Sequence, residues 1–412
     1  MDILLLGAGG REHALAWKIA KSPLVKRLVC APGNPGTAQV ATNVAMPDDV
    51  AAYAKDEGFD LVVVGPEQPL ADGVADALAE AGVPCFGPTK AAARLETSKA
   101  FVKDLCEVAG IPTARSATFT DEVSAHEHLA ALPAPYVVKA DGLAAGKGVV
   151  IAGTLDEAKA AVTDMLSGRF GEAGARVVVE EHLRGREVSV FALTDGESVL
   201  RFGSARDHKR ALDGDRGPNT GGMGAVTPPG LDQADEDRIY AEVIEPALAA
   251  MRARGTPYTG VLYAGLMLTE AGPKLIEFNA RFGDPECQIL LRRLISDVVP
   301  ALWGAATGRL GGVALDWRTE AVALVVMAAT GYPGTYEKGS EIRGLDVAER
   351  EGAIVFHAGT REAEGRIYAD GGRVLNVTAT GESVEAAAVA ATRAAEAIDW
   401  PEGFFRRDIG RV

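Results

Sequence analysis

Three polar residues alternate at the end of an apolar run in the segment KLIEFNARFGDPE: Glu277, Asn279 and Arg281. Residues 275–278 are predicted to form a β-strand, in which alternate side chains face the same way. A carboxylate and an amide oxygen about two residues apart suit a hard divalent cation such as Mg²⁺, and a neighbouring guanidinium suits phosphoryl oxygens. The triplet predicts phosphoryl transfer from a metal-bound nucleotide. The alternative is a half-buried strand with a solvated polar face.

A glycine-rich segment, DGLAAGKGV, follows Lys139 and contains Gly142, Gly146, Lys147 and Gly148. It lies between two predicted strands, so it can fold over a triphosphate and exclude water. It is not a Walker A loop, which would need Ser or Thr after Lys147 and then a helix. A plain hairpin turn remains the alternative.

The first strand ends in glycines, which invites comparison with dinucleotide-binding folds. The fingerprint fails because Glu12 stands where its third glycine should be, and no acidic residue closes a nearby second strand. A hydride-transfer enzyme is therefore not expected. The glycines still bring backbone N–H groups and a helix N-terminus to a strand end, which suits a phosphate. A tight turn without a ligand is the alternative.

Two further loops and one strand end carry polar residues suited to binding. The segments SARDHKR at 204–210 and GPNTGGMG at 217–224 are predicted functional loops, with surface turns as the alternative. The predicted strand at 176–181 ends in Glu180 and Glu181 and runs into a domain connection, in which Glu187 follows. Its backbone is expected to face an adenine edge and a carboxylate to face ribose hydroxyls, unless these are solvated acids.

The order of the predicted elements indicates a multidomain protein of mixed α/β and α+β class. Alternating strands and helices over the first 98 residues predict a doubly wound parallel sheet, whose ligands lie beyond the strand ends. A connecting helix at 99–111 leads to a small α+β subdomain at 112–186, in which Thr154 and Glu157 predict a capping box. A central domain at 187–318 and a separate α+β lobe at 319–412 follow. In the lobe, residues 366–370 and 373–378 are predicted to pair as strands across a Gly-Gly turn.

Composition excludes several functional classes. The chain has 412 residues, 47% of them hydrophobic, and a formal net charge of -15. Several cores are expected at this length, and the acidic charge argues against nucleic-acid binding. No apolar run is long enough for a membrane span, and the N-terminal apolar run is predicted to be a strand rather than a signal peptide. The four cysteines are scattered, which favours reduced thiols in a cytoplasmic protein.

Taken together, the motifs resemble those of the phosphoribosylamine-glycine ligases, a family of ATP-grasp enzymes. They are GAGGREHALAW, APGNPGT, VGPEQPL, KADGLAAGKGV, DHKR, GPNTGGMGA, YTGVLYAGLM, IEFNARFGDPE and FHAGT. The resemblance spans the chain to about residue 410 and implies an ATP-grasp fold with a substrate domain before it and a lobe after it. It implies that ATP, glycine and 5-phosphoribosylamine give glycinamide ribonucleotide, ADP and phosphate through glycyl phosphate. It also implies Mg²⁺ or Mn²⁺.

The resemblance also assigns roles to individual residues. Glu277 and Asn279 correspond to the metal ligands, and Arg281, Lys147 and Asp207 to catalytic residues, with Asp207 orienting the glycine ammonium. Nucleotide contacts are expected at Lys99, Lys139, Gly142, Gly146, Lys147, Gly148, Glu180, Glu181, the backbone of Leu183, and Glu187. Substrate contacts are expected at Gly9, Gly10, Gly33, Asn34, Gly36, Thr37, Glu67, Asp207, Lys209, Asn219, Arg281, Gly283 and Asp284. The substrate phosphate is expected near Gly9 and Gly10 or near residues 33–37, and the ribose near Glu67.

One position departs from the pattern that the resemblance implies. Many ATP-grasp enzymes carry a further metal carboxylate about a dozen residues before the E-x-N motif, where this chain has Gly265. A second metal would need another ligand, for which Glu286 or water is the candidate. Another ATP-grasp ligase or carboxylase, or a non-catalytic nucleotide-binding protein, is the rival interpretation. We expect a monomer that acts on small molecules, and leave open a transient contact with the preceding pathway enzyme.

Overall fold

The N-terminal domain is built on a parallel sheet. A computed structural model describes residues 1–144, 148–169 and 171–411. The first strands and helices are β1 (Asp2–Gly7), α1 (Gly10–Ile19), β2 (Arg27–Pro32), β3 (Thr42–Asn43), α2 (Val50–Asp56), β4 (Leu61–Val64), α3 (Glu67–Asp72), α4 (Val74–Ala81) and β5 (Cys85–Phe86). The strand order is β3-β2-β1-β4-β5 and all of these strands pair in parallel, so the parallel sheet predicted from the alternating pattern is confirmed. The carboxyl ends of β1 and β4 therefore lie side by side, each leading into a helix.

The helical segment that contains the connecting helix predicted at 99–111 is interrupted. It forms α5 (Arg94–Thr97) and α6 (Lys99–Ala109), separated by Ser98 in an extended conformation. The Ser98 hydroxyl accepts a hydrogen bond from the N–H of Phe101, which caps α6. The break matters because it points the first turn of α6 at the glycine-rich segment that follows β7.

A small antiparallel sheet covers one side of that helix. Its elements are β6 (Ser116–Phe119), α7 (Glu122–Ala130), β7 (Tyr136–Ala140), β8 (Val149–Ala152), α8 (Leu155–Asp164) and β9 (Val177–Glu181). The strand order is β6-β9-β7-β8, so the predicted hairpin of β7 and β8 is present. The predicted capping box of Thr154 and Glu157 opens α8. We refer to residues 116–181 as the lid sheet.

The central region supplies long antiparallel strands. Its elements are β10 (Arg186–Asp195), β11 (Val199–Asp207), β12 (Arg210–Leu212), β13 (Arg216–Asn219), β14 (Gly224–Thr227), α9 (Gln233–Ile239), α10 (Glu245–Ala253), β15 (Thr259–Thr269), β16 (Gly272–Asn279), α11 (Glu286–Arg293) and α12 (Val299–Thr307). Within it, β16 pairs with β15, β15 with β10, and β10 with β11. Side chains of α11 share one core with those of α1, so the first domain packs directly on the central one.

The C-terminal strands extend the central sheet and pack around a hydrophobic core of their own. They begin with β17 (Ala321–Ala329), β18 (Glu341–Ile342), α13 (Leu345–Arg350), β19 (Ile354–His357) and β20 (Thr360–Ala363), followed by β21 (Arg366–Ala369), β22 (Arg373–Gly381), α14 (Val384–Glu396) and β23 (Gly403–Phe404). Strand β17 is buried along its whole length, because β14 pairs with one edge and β22 with the other. A continuous apolar run of this kind needs cover on both faces and partners on both edges.

The predicted pairing of 366–370 with 373–378 is wrong. Strand β21 pairs with β18 and β20, whereas β22 pairs with β17 and β19. Gly371 and Gly372 carry the chain from one sheet to the other instead of closing a hairpin. A Cβ atom at Gly371 would lie 2.8 Å from the Cα of Gly359, so the close approach of two backbones requires glycine there.

None of the helices in the described parts of the chain is long and apolar enough to cross a membrane.

Candidate active site

A cavity of about 650 Å³ lies where the first domain, the lid sheet, the central strands and the C-terminal segment meet. Many of the residues singled out in the sequence line it. They are Glu67, Lys99, Gly142, Gly148, Glu180, Asp207, Lys209, Asn219, Glu277, Asn279, Arg281 and Asp284. Residues from distant parts of the chain thus converge on one space, which is large enough for a nucleotide and small substrates.

The Glu277 triplet is positioned by an irregularity in β16. Gly265 pairs with Glu277 across to β15, but the next pair is Leu266 with Leu275, which leaves Ile276 as an extra residue. Such a bulge re-aims the side chains around it. The carbonyl of Ile276 accepts a hydrogen bond from the Lys139 ammonium at 3.3 Å, which ties the lid sheet to this strand.

Glu277 and Asn279 offer oxygen atoms to the cavity. Neither side chain has a hydrogen-bond partner among the residues that the structure describes. Burial raises the pKa of Glu277, but nearby cations, Lys209 and Lys139 foremost, hold the pKa below its usual range. Glu277 is therefore ionised at neutral pH, as a metal ligand must be.

Arg281 is held by two carboxylates. Its Nε lies 3.2 Å from Oε2 of Glu67, and one terminal nitrogen lies 3.3 Å from Oε1 of Glu96. Burial opposes the charge, yet Glu96 and Glu67 raise the pKa of Arg281 above its ordinary value. Glu96 also accepts the N–H of Ala280 at 2.7 Å, which fixes the backbone next to the guanidinium. Glu96 was not predicted, since an isolated acid on a helix carries no motif.

Lysines gather on the lid side of the cavity. The Glu180 carboxylate lies between two ammonium groups, 2.9 Å from Nζ of Lys139 and 3.0 Å from Nζ of Lys103. Lys99 donates to the carbonyl of Gly142 at 3.1 Å. Burial lowers the pKa of both Lys99 and Lys103. Lys103 escaped the sequence analysis, although its place one helical turn after Lys99 puts both on one face of α6.

Asp207 ends β11 inside the cavity, next to Lys209. Burial raises the pKa of Asp207 to about 7, with Lys209 opposing and the carboxylates of Glu286 and Glu187 adding to the rise. Lys209 forms an ion pair with Glu187, and Asp207 together with Glu187 raises the pKa of Lys209 well above its ordinary value. The carboxyl of Asp207 is thus poised to titrate near neutral pH.

The glycine loops of the first domain do not reach the cavity lining. Gly9 donates its N–H to Glu12 at 2.6 Å, while Gly36 and Thr37 donate theirs to Oδ1 of Asn34 at 2.8 and 3.0 Å. Nδ2 of Asn34 in turn donates to the carbonyl of His357 at 2.8 Å. These N–H groups all have partners within the protein, and the Asn34 side chain ties the first domain to β19.

Three other predicted glycines, Gly10 and Gly33 of the first domain and Gly283 of the central domain, allow close packing. A Cβ atom at Gly10 would lie 2.2 Å from Nδ2 of Asn376, and one at Gly33 would lie 2.3 Å from Oδ1 of Asn43. At Gly283 a Cβ atom would lie 2.4 Å from Oε2 of Glu286. The glycines allow neighbouring side chains to approach, and their roles in substrate binding stay predictions.

The predicted nucleotide contacts Glu181, Leu183 and Glu187, which follow Glu180 in the chain, are not among the described residues that line the cavity. Glu181 pairs with Nε of Arg115 at 2.9 Å and with Nζ of Lys274 at 3.2 Å. Leu183 lies in the connection between β9 and β10, and Glu187 follows in β10. Gly146 and Lys147 lie outside the described residues.

Two arginines complete the cavity, and the sequence analysis missed both. Arg11 lies at the start of α1 and donates to the carbonyl of Phe282 at 3.1 Å. Arg373 lies at the start of β22 and donates to the carbonyl of Asp284 at 2.7 Å. Tyr332 lines the same wall. Only the path of the C-terminal strands brings Arg373 and Tyr332 here, so local sequence could not reveal them.

Three family models match consecutive stretches of the chain. The phosphoribosylglycinamide synthetase N domain matches residues 1–96, its ATP-grasp (A) domain residues 97–287, and its C domain residues 322–412. The chain belongs to the phosphoribosylglycinamide synthetase family. The resemblance seen in the sequence is confirmed.

Individual proteins that are similar to this phosphoribosylglycinamide synthetase family member match it over its whole length. The phosphoribosylamine-glycine ligase of Caulobacter vibrioides is 57% identical over 100% of this chain and 98% of that protein. That of Mesorhizobium japonicum is 54% identical with the same coverage. A solved phosphoribosylamine-glycine ligase from Thermotoga maritima superposes with a TM-score of 0.89 at 33% identity, covering 99% of this chain and 100% of that one. The predicted ATP-grasp fold, with its N-terminal parallel-sheet domain, is confirmed.

Proposed function

We propose that this protein is an ATP-dependent ligase of purine biosynthesis that joins glycine to 5-phosphoribosylamine. The products are glycinamide ribonucleotide, ADP and phosphate. A carboxylate is a poor electrophile, so the glycine carboxylate first attacks the γ-phosphorus of ATP to give glycyl phosphate and ADP. The sugar amine then attacks the acyl carbon and phosphate leaves. The observation that carries the proposal is full-length family membership combined with one cavity that collects Glu277, Asn279, Arg281 and Asp207.

The donor set of the cavity fits a divalent cation that comes with the nucleotide. Among the described residues there is no group of three or more His, Cys, Asp or Glu side chains that could hold a metal by itself. Glu277 and Asn279 offer two oxygens, so ATP phosphates and water would complete the shell of a Mg²⁺ ion. We propose these two residues as ligands of Mg²⁺ or Mn²⁺, which when bound neutralises phosphoryl oxygens.

A second metal has less support from the protein. Gly265 lies directly opposite Glu277 in the strand register and offers no side chain. The candidate substitute, Glu286, accepts a hydrogen bond from the Tyr263 hydroxyl at 2.9 Å through Oε1. Its other oxygen has no partner in the described parts of the chain. Glu286 can therefore serve as a ligand only through that oxygen, unless Tyr263 moves.

The lid-side lysines are proposed to bind the triphosphate. Lys139 and Lys103 share Glu180, so their charge is balanced by a carboxylate that bound phosphates can replace. Phosphoryl transfer needs mainly positioning and charge neutralisation, which fixed cations supply. Lys99 is proposed to assist from α6. The roles predicted for Lys147 and the segment around it are kept as predictions.

Arg11 and Arg373 are proposed to bind the sugar phosphate, and the phosphate role of the glycine loops stays a prediction. The N–H groups of Gly9, Gly36 and Thr37 donate within the protein, whereas each of these guanidiniums keeps N–H groups without a partner among the described residues. Guanidinium groups suit phosphate oxygens. Glu67 and Asp284 lie in the same wall of the cavity and remain candidates for the ribose hydroxyls.

Asp207 is proposed to hold the ammonium of glycine, and this predicts a pH dependence. The carboxyl must be ionised to attract an ammonium, but burial raises its pKa to about 7. As the pH falls below about 7, protonation should weaken glycine binding by up to about tenfold per pH unit. Calorimetric titration of glycine in the presence of a non-hydrolysable ATP analogue, from about pH 6 to about pH 8, measures this without the labile amine.

The control is Asp207→Asn, which keeps the shape of the side chain and removes its titration. Its glycine affinity should be lower than that of the wild type at about pH 8 and nearly independent of pH over the same range. A wild-type affinity that does not change with pH would remove Asp207 from this role.

The assignment of substrates is tested by product formation. We expect glycinamide ribonucleotide, detected by mass spectrometry, to form only when ATP, glycine and phosphoribosylamine are all present, with the amine generated in place. Alanine should be a far poorer substrate, because its methyl group must enter a pocket shaped for glycine. Equal turnover with alanine would favour another ATP-grasp ligase, and ATP binding without product would favour a non-catalytic protein. A cytoplasmic monomer remains our prediction for its location and assembly.

A further inference from the structure

A second cavity, of about 250 Å³, lies at the far ends of the two helices that start at the catalytic cavity. Helix α1 carries Arg11 near its start and Lys18 near its end, and α11 begins at Glu286 and carries Arg292 near its end. The two helices share one hydrophobic core, so they run side by side from one cavity to the other. Trp17 and Lys21 contribute the rest of the α1 side of this second cavity.

The second cavity has an excess of positive charge. Its lining includes Lys18, Lys21, Arg292 and Arg318 but only one carboxylate, Asp297. None of the four cations forms an ion pair with any residue that the structure describes. Both oxygens of Asp297 already accept hydrogen bonds, one from the Ser22 hydroxyl at 2.6 Å and one from the N–H of Val299 at 2.9 Å. Four uncompensated cations stand out in a chain whose net charge is -15.

Hydrogen bonds within the protein account for two of these cations and not for the others. Lys18 donates to the carbonyl of Leu294, the C-cap residue of α11. Arg292 donates to the carbonyl and the hydroxyl of Thr378 and, at 2.8 Å, to the carbonyl of Gly352. Cations at helix C-termini are stabilising there. The side chains of Lys21 and Arg318 have no hydrogen-bond partner in the described regions, and Lys21 only lies over the Trp17 ring, 3.4 Å from its centroid.

Burial and the neighbouring cations both affect the pKa values of Lys18 and Arg292. Burial, with Lys21 and Arg318 adding, lowers the pKa of Lys18 to about 8. Burial and Arg318 lower the pKa of Arg292 to about 10. A bound anion would relieve this repulsion, because opposite charge favours the protonated forms.

We propose that the second cavity binds a small phosphate-bearing anion. Ammonium and guanidinium groups from α1, α11 and the segment before β17 converge on it, and they are the donors that proteins use for phosphate. The volume is below that of usual drug-sized pockets, so a phosphate or diphosphate group with a small body fits better than a whole nucleoside triphosphate. The half-buried indole of Trp17 supplies an apolar wall for that body.

The experiment titrates inorganic pyrophosphate into the full-length protein while its catalytic cavity is occupied by a non-hydrolysable ATP analogue and glycine. Tryptophan fluorescence should change in a saturable way, and the change should be lost in Trp17→Phe, which identifies the site. The double variant Lys21→Gln/Arg318→Gln should bind at least about tenfold more weakly, since two charge-assisted hydrogen bonds are removed. Both side chains are exposed, so folding should be unaffected.

The control is Lys26→Gln/Lys55→Gln, which removes the same charge from exposed positions outside the cavity. It should bind pyrophosphate like the wild type. Equal weakening in both double variants would show that only overall charge matters and would overturn the proposal. The absence of a saturable change in the wild type would overturn it as well.

Discussion

Arg281→Ala should lower kcat by about 100- to 1000-fold, the usual loss when a group that stabilises transition-state charge is removed. The affinity for ATP should change by less than about threefold, because an interaction made only in the transition state affects kcat and not binding. Arg281 lies two residues beyond the last residue of β16, beside the proposed metal ligands. The measurement pairs steady-state kcat at saturating substrates with calorimetric titration of an ATP analogue.

A second variant of Arg281 separates the loss of kcat from a loss of folding stability. Arg281 pairs with Glu96, whose side chain is 7% exposed, so the alanine variant leaves a buried carboxylate without its partner. Breaking a buried pair in this way costs about 3 to 5 kcal/mol of stability. Arg281→Lys keeps the positive charge but loses the planar fork. It should fold better than the alanine variant and still have a low kcat. Equal losses of kcat and ATP affinity would make Arg281 a binding residue only.

Glu277→Gln should raise the Mg²⁺ concentration needed for half-maximal rate by more than about 100-fold. Replacing groups that merely orient a metal ligand costs about 10- to 100-fold in metal affinity, so loss of a charged ligand should cost more. The variant also removes the only charged member of the proposed pair, because Asn279 is neutral. Initial rates over a range of Mg²⁺ and Mn²⁺ concentrations, at fixed ATP, measure the effect.

Two further variants sharpen that experiment. Glu242→Gln removes a carboxylate that pairs with Arg238. Neither residue lines the cavity, so this variant should leave the metal requirement unchanged. Glu286→Gln tests the number of metals: a rise comparable to that of Glu277→Gln would make Glu286 the substitute for the missing carboxylate at Gly265. An unchanged metal requirement in Glu277→Gln, together with a lower kcat, would mean that Glu277 does not hold the metal.

Local patterns predicted the fold where neighbouring residues decide the structure. The β7–β8 hairpin and the Thr154 capping box depend on a few adjacent residues, and both are present. The Gly-Gly turn at 371–372 misled the prediction, because whether two strands pair depends on what else lies beside them. Strand β22 pairs instead with β17, which is 9 residues long, and with β19.

The same distinction applies to the site. Glu277 and Asn279 lie at the end of β16 and Arg281 follows two residues later, so their alternation was visible in the sequence. Arg373 and Glu96 come to the cavity through tertiary packing and carry no local signal. The glycines of the first domain predict a phosphate loop, and only the structure shows that Glu12 and Asn34 accept the N–H groups of Gly9, Gly36 and Thr37. Side-chain competition of this kind is decided by the folded geometry.

The most direct test of the proposed reaction follows the oxygen atoms of glycine. Glycine labelled with heavy oxygen in its carboxylate is turned over with ATP and phosphoribosylamine, and the released phosphate and the ribonucleotide product are analysed by mass spectrometry. If glycyl phosphate forms, each phosphate released carries one labelled oxygen and the new amide keeps the other. Unlabelled phosphate alongside amide product would contradict the account, since the carboxylate would then not have been activated by phosphoryl transfer.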